Sequence, residues 1–317
     1  MDKPGFPIID GHVDLIYEMM RHHHGTGFRD LAAGPVTLEK MVRGNVRVIV
    51  TALYSPDSMN GEKKARAHLE GLLDYADSHL QGIKQVTSEK DLFSCYDSDL
   101  QPGTLFLVEN ADALLEMDLD RLLMRKIKVI GLTHAGRNRI GDGNSVHNPR
   151  GLTGEGKNLV RRLVDKGFIL DVAHLSDPSF RDVLKLFDGP LISSHTGFRF
   201  FVPKPRNLGE EEIKRIAERK GIIGVSVNPE MLSMDNIVGI HDVFRHIDWI
   251  VQRYGPDIVA IGSDYCGFDC VNQGMKDISC LKDLEDIMAV QGYPEEAIKK
   301  ILGWNWYLFY SSLLDVE

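Results

Sequence analysis

The 317-residue sequence predicts an α/β fold, a closed (β/α)8 TIM barrel in one domain spanning residues 1–317. Three observations carry this expectation. Eight short apolar segments recur along the chain, helix-like stretches separate them, and six of the eight end in an ionisable side chain. The length suits a barrel of about 250 residues with insertions.

In chain order the predicted strands are Ile8–Leu15, Val46–Tyr54, Leu105–Asn110, Val129–His134, Phe168–His174, Leu191–Thr196, Ile222–Asn228 and Val259–Asp264. Near-continuous apolar runs of this kind suit parallel strands buried on both faces. The intervening stretches read as helices. Asn158–Lys166 is amphipathic, and Pro178–Phe187 follows two good caps, Ser176 and Asp177. Glu210–Lys220 opens acidic and ends basic, matching the helix dipole, and His241–Tyr254 is again amphipathic. Eight such units favour a closed barrel, although pattern alone also allows an open doubly wound sheet. The dinucleotide fingerprint and the P-loop are both absent from the sequence. Arg21–Gly27, RHHHGTG, reads as a solvated loop near the barrel mouth.

Composition narrows the function. The residues are 43% apolar and 26% charged, as in an ordinary globular core. A net charge of −9 gives no attraction to nucleic acid or to an anionic membrane, so neither is expected as a partner. No apolar run reaches the length of a membrane span. The start MDKPGFPIIDGH carries no signal-peptide stretch and the end SSLLDVE no anchoring signal, so a cytoplasmic location is expected. Four cysteines, Cys95, Cys266, Cys270 and Cys280, are too few for a disulfide scaffold and read as unpaired thiols.

The ends of the predicted strands carry His12 and Asp14, Glu109, His134, His174, His195 and Asp264. Strand C-termini form the active face of a barrel, and buried ionisable groups are costly unless paired or metal-bound. Taken singly, each has a structural explanation as a cap or a core histidine. Together they suggest one site. His12 and Asp14, two apart on a strand, point to one side. His12 and Asp14 would hold one ion, His174 and His195 another, with the Glu109 carboxylate shared. Nitrogen and carboxylate donors with open positions suit catalytic zinc. Two ions about 3.5–4 Å apart can share a hydroxide nucleophile and polarise a carbonyl.

The segments IIDGHVDL, LVENADAL, GLTHAGRN, FILDVAHLSD, ISSHTGFR, PRNL, IGSDYCGF and GWNWYLFY resemble, in order and spacing, the membrane (renal) dipeptidase family of the amidohydrolase superfamily. The resemblance implies a barrel of the metallo-dependent hydrolase type, two Zn2+ per chain, and hydrolysis of dipeptides, including L,D-dipeptides, by a metal-bridging hydroxide. It makes His12, Asp14, Glu109, His174 and His195 the metal ligands. It makes His134 the residue that binds the scissile carbonyl oxygen and Arg206 the grip on the substrate carboxylate. Asp264 becomes the group that contacts the free amine and shuttles the proton. A homodimer is the assembly it suggests. Asn110 and Ala111 stand where the family commonly has glycines, and Val13 where it commonly has Asn. Two other readings remain open at this point: a D-aminopeptidase or other small-amide hydrolase on the same metals, and a metal-free binding or scaffold barrel.

Overall fold

The computed structural model describes residues 5–98, 101–235, 237–269 and 274–314. Among the described residues nine strands form: β1 (Ile8–Val13), β2 (Val46–Tyr54), β3 (Lys84–Gln85), β4 (Gly103–Glu109), β5 (Val129–Gly131), β6 (Ile169–Asp171), β7 (Leu191–Thr196), β8 (Ile223–Val225) and β9 (Val259–Ile261). Eight of them close a parallel barrel in the order β2-β1-β9-β8-β7-β6-β5-β4, with β4 pairing back onto β2. That pairing runs from Val48–Gly103 to Tyr54–Glu109 and settles closure over the open sheet. The two-residue β3 is additional and pairs with Gly103 and Thr104 at the start of β4.

Residues along the strands alternate between two apolar layers. Ile9, Val48, Val50, Leu105, Leu107 and Ile192 belong to a cluster with Trp306, Phe309 and Tyr310 of the C-terminal helix Asn305–Leu314. Their neighbours Ile8, Ile49, Phe106, Val108 and Leu191 pack against the surrounding helices. The alternation is the pleat's period of two, here buried on both faces. The Trp306 indole is fully buried and donates to the Ile261 carbonyl at 2.7 Å. A Cβ on Gly11 would lie 2.4 Å from the Trp306 ring, so only glycine fits beside the indole at that point of β1.

The helices follow their caps. Gly154–Asp165 starts four residues before the predicted Asn158 because the Thr153 side chain accepts the Gly156 N–H at 3.0 Å and begins the helix there. Asp177–Leu186 is capped by Ser176, and Glu210–Glu218 by Glu212 reaching back to the Gly209 N–H. Ile240–Tyr254 matches the expected helix to within one residue. Arg21 and His22 belong to the last turn of a helix, Leu15–His22, rather than to a loop. His23 is turned onto Glu18, 3.3 Å away, and Gly27 sits beside His79, the last residue of the helix Glu62–His79. That helix leaves the mouth after β2, so the RHHHGTG segment ends away from the mouth. The thiols of Cys95, Cys266 and Cys280 are free, while Cys270 lies outside the described residues. No helix among the described residues is long and apolar enough to cross a membrane.

Candidate metal centre

The ligand-bearing strands depart from ideal pairing where the site forms. Asp10 and Val13 of β1 oppose Ile49 and Thr51 of β2, three residue steps against two. Ser193 and Thr196 of β7 oppose Ile223 and Val225 of β8, again three against two. Each is a β-bulge, which inserts one residue and re-aims the side chains around it. In β1 the effect is visible: Ile9 lies in the barrel interior but Val13, four residues on, packs outside. His12 falls within the first bulge, and Ser194 and His195 within the second.

Three other site residues sit just past the strands. The strands β5, β6 and β9 end at Gly131, Asp171 and Ile261, three residues before His134, His174 and Asp264. His174 and Asp264 have φ of 65° and 67°, and Asn110, after Glu109, has 71°. Left-handed backbone is uncommon outside glycine, though Asn, Asp and His adopt it most readily, and such backbone concentrates at functional sites. At His174 the surroundings hold it in place, since its carbonyl accepts the Asn144 N–H at 2.8 Å.

These pieces converge. His12 Nε2 is 3.5 Å from Asp14 Oδ2 and 3.6 Å from Glu109 Oε2. The other Glu109 oxygen is 2.9 Å from His174 Nε2 and 3.8 Å from His195 Nε2. His195 Nε2 is also 3.9 Å from Asp264 Oδ1. Among the described residues, three buried groups could hold a cation: His12–Asp14–Glu109, Glu109–His174–His195, and His12–His195–Asp264. Glu109 is common to the first two, with one oxygen toward each.

The electrostatics call for positive charge. Asp10, Asp14, Glu109, Asp171 and Asp264 are all buried within this end of the barrel. Burial pushes Asp264 up, the neighbouring Asp14 charge adds to it, and the carboxyl reaches about 7. Burial alone would push the His12 imidazolium down, but Glu109 and Asp14 raise it to about 10. His174 and His195 are driven well below the ordinary histidine range by burial and nearby cationic groups. Their Nε2 atoms face each other at 3.0 Å, a repulsive contact for two lone pairs unless a proton or cation lies with them. His12 Nε2 and Asp14 Oδ1 are buried with no hydrogen-bond partner. Unsatisfied buried donors of this kind, aimed at shared carboxylates, fit a pair of divalent cations.

A cavity of about 870 Å3 opens over the cluster, lined among others by Tyr17, Tyr54, His134, Asn144, Lys204, Arg206, Asn228 and Asp264. Arg206 donates to the His195 carbonyl at 3.3 Å and to His174 Nε2 at 3.2 Å. A cation at His174 therefore competes with the guanidinium for that nitrogen. His134 Nδ1 lies 3.4 Å from Asp57 Oδ2, and its ring meets Tyr54 edge-on at 4.9 Å. Asn228 Nδ2 donates to Asp264 Oδ2 at 3.2 Å.

All eight residues singled out in the sequence thus meet at one end of the barrel. Sequence reasoning passed over Tyr54, Asp57 and Asn228. β2 and β8 are the two strands to which it assigned no site residue, yet Tyr54 and Asn228 are the polar residues at the ends of those predicted segments. Asking what every strand end presents, rather than which ends are ionisable, finds both.

The family model for membrane dipeptidase (peptidase family M19) matches residues 4–308. The chain belongs to that family. It is 26% identical to dipeptidase tcpJ of Claviceps purpurea (strain 20.1), over 93% of this chain and 74% of that one. Two crystal structures share the M19-type barrel over 98% of this chain at 24% identity. One is dipeptidase AC, a metallopeptidase of family M19, with a TM-score of 0.85 and 98% of its chain covered. The other is a metallopeptidase from Rhodobacter sphaeroides liganded with a phosphinate mimic of L-Ala-D-Ala, with a TM-score of 0.83 and 99% covered.

Proposed function

We propose that this M19 chain, working as one (β/α)8 domain, hydrolyses dipeptides at a pair of zinc ions. His12 and Asp14 would hold one ion, His174 and His195 the other, and Glu109 both. One observation carries the reading: the two oxygens of a single buried carboxylate, Glu109, face two separate histidine groups. When bound, such a pair of ions supplies Lewis-acid polarisation of a carbonyl and a nucleophilic water at neutral pH.

The chain's own residues do the rest. Arg206, at the cavity wall, binds the substrate's terminal carboxylate through charge-assisted hydrogen bonds. His134 offers its Nε2–H to the scissile carbonyl oxygen and stabilises the charge that develops there. Asp57 on Nδ1 leaves Nε2 as the nitrogen that turns to the cavity. Asp264, held by Asn228, accepts the proton from the attacking water and passes it to the leaving amine, and it contacts the free amine of the bound dipeptide. Arg206 and Asp264 lie in the same cavity, so the two charged ends of a dipeptide are read together. The dipeptide mimic bound by the Rhodobacter structure is of L,D type, which supports including L,D-dipeptides among the substrates.

Metal content measured alongside a dipeptide panel tests this. The expected result is two zinc ions per chain and release of free amino acids, with L-Ala-D-Ala among the substrates. Absence of tightly bound metal, or no cleavage across a panel of L,L and L,D pairs, overturns it.

A further inference from the structure

Of the lysine, arginine and acidic side chains that line the cavity, Asp14, Glu109, Arg206 and Asp264 already have a part in the proposed reaction, while Lys204 and Glu230 have none. These two face each other, with Lys204 Nζ 4.0 Å from Glu230 Oε2. Lys204 comes from the loop after β7, and Glu230 from the short helix Pro229–Leu232 after β8. The two loops are fastened together, because the Asn207 side-chain amide donates to the Val202 carbonyl at 3.1 Å and to the Met231 carbonyl at 2.9 Å.

The sequence around Lys204, PKPRN, stiffens its backbone. The Asn207 N–H donates to the Lys204 carbonyl at 3.1 Å and closes a β-turn with Lys204 first, Pro205 second and Arg206 third. Proline suits the second position of such a turn, and it also keeps the residue before it extended. Arg199 donates to the Pro205 carbonyl at 3.2 Å and pins the turn further. Among the described residues, this one turn carries both the lysine and the arginine of the cavity wall. Arg206 is the half-buried one and reaches in to the His195 carbonyl. The Lys204 side chain is 45% exposed and that of Glu230 72%.

We infer that Lys204 selects the C-terminal residue of the substrate, and that this residue is acidic, an aspartate or a glutamate. The inference rests on the dipeptidase reading proposed above, in which Arg206 takes the α-carboxylate. A C-terminal Asp or Glu presents a second carboxylate a few ångströms from the first, and the turn offers a second cation two residues from Arg206. Binding exchanges one carboxylate for another on Lys204 Nζ. Glu230, already mostly exposed, turns out to water with little loss, since exposed ion pairs hold weakly. A basic C-terminal residue gains Glu230 but must lie against the turn that carries Lys204 and Arg206, and like charges brought together discriminate against it. A neutral residue leaves the Lys204–Glu230 pair as it stands. Lys204 meets the substrate side chain and not the reacting atoms, so it sets which dipeptide is bound.

The experiment uses the zinc-loaded full chain and reads ratios within each protein, so a general loss of activity in a variant cancels. In the first arm kcat/KM is measured for alanyl-glutamate, alanyl-glutamine and alanyl-lysine, in the L,L and L,D series, with wild type, Lys204→Met and Lys204→Glu. Wild type is expected to favour glutamate over glutamine by roughly tenfold in at least one series, the low end for a charge-assisted bond because Lys204 is nearly half exposed. The preference is expected to shrink as salt is raised. Lys204→Met is expected to abolish it, and Lys204→Glu to turn it toward lysine. The second arm needs no turnover. Analogues of the same dipeptides with a methylene-amine link in place of the peptide bond are titrated calorimetrically into wild type and Lys204→Met, and the same preference for glutamate, lost in the variant, is expected. No glutamate preference of wild type in either series, a preference that survives Lys204→Met, or a wild-type preference for lysine overturns the inference and leaves the dipeptidase reading intact. Failure to cleave any dipeptide counts against that reading instead, and the calorimetric ratio then decides whether Lys204 reads a carboxylate.

Discussion

Asp57 Oδ2 lies 3.4 Å from His134 Nδ1 and accepts the Gly136 N–H at 2.9 Å with the same oxygen. The carboxylate is thereby anchored to the loop that carries the histidine. Burial pulls the His134 imidazolium down, but the Asp57 hydrogen bond and the Glu109 charge outweigh it and the group is raised. Removing the donor, His134→Ala, is expected to lower kcat by roughly 10²–10³-fold, the usual cost of one oxyanion donor. Asp57→Ala keeps the ring but frees it, and about a tenfold loss in kcat with a smaller change in KM is expected. Steady-state kinetics on one dipeptide compares the two. An Asp57→Ala variant as active as wild type removes Asp57 from the catalytic account.

Arg206 reads a carboxylate if the proposed substrate class is right. Charge-assisted hydrogen bonds are worth about 1.5–3 kcal/mol each, and a guanidinium makes two to a carboxylate. Arg206→Ala is therefore expected to lower kcat/KM for a dipeptide by roughly 100-fold or more, while a dipeptide amide loses little. Parallel assays of the two substrates give the answer. Equal losses on both place the D-aminopeptidase or small-amide reading ahead.

Asp264 is near enough to His195 to be a ligand and is read here as the proton carrier instead. Asp264→Asn keeps the Asn228 contact available but cannot take a proton. The expected outcome is a fall in kcat of roughly 10²–10⁴-fold with two ions still bound. Loss of an ion, seen by elemental analysis of the purified variant, would reassign Asp264 to the metal.

His246, which does not line the cavity, makes a prediction about stability. It is fully buried on the helix Ile240–Tyr254, accepts the Phe198 N–H on Nδ1 at 3.2 Å, and gives Nε2–H to the Leu232 carbonyl at 3.0 Å. Only the neutral ring makes both bonds. Burial lowers it from 6.5 to about 4. The unfolded chain therefore protonates first on acidification. The stabilisation is complete above 6.5 and is lost as pH falls from there toward 4. Between pH 7.5 and pH 5 this one group is expected to remove about 2 kcal/mol. Urea unfolding of wild type and His246→Asn at both pH values isolates it. An equal pH dependence in the two proteins refutes the assignment.

The sequence by itself determined the architecture and named the candidate site residues that the barrel gathers at one end. Apolar runs flanked by helical periodicity located all eight barrel strands, because a strand buried on both faces must be apolar along most of its length. Ionisable residues at the ends of those runs stood out because burying them without compensation is expensive. His12, Asp14, Glu109, His134, His174, His195 and Asp264 were legible in that way, while Arg206 came only from the family resemblance that the order of the motifs carried. Only the tertiary structure decided how they are aimed. Two one-residue bulges, in β1 and β7, exist because neighbouring strands pair in a particular register, and no local pattern announces them. Ser193 and Ser194 are indistinguishable within LISSH, yet one of them lies between two histidines 182 and 1 residues away. Hydrogen-bond direction depends on which atoms the folded chain brings within 3 Å, and that is a property of the closed barrel, not of any segment within it.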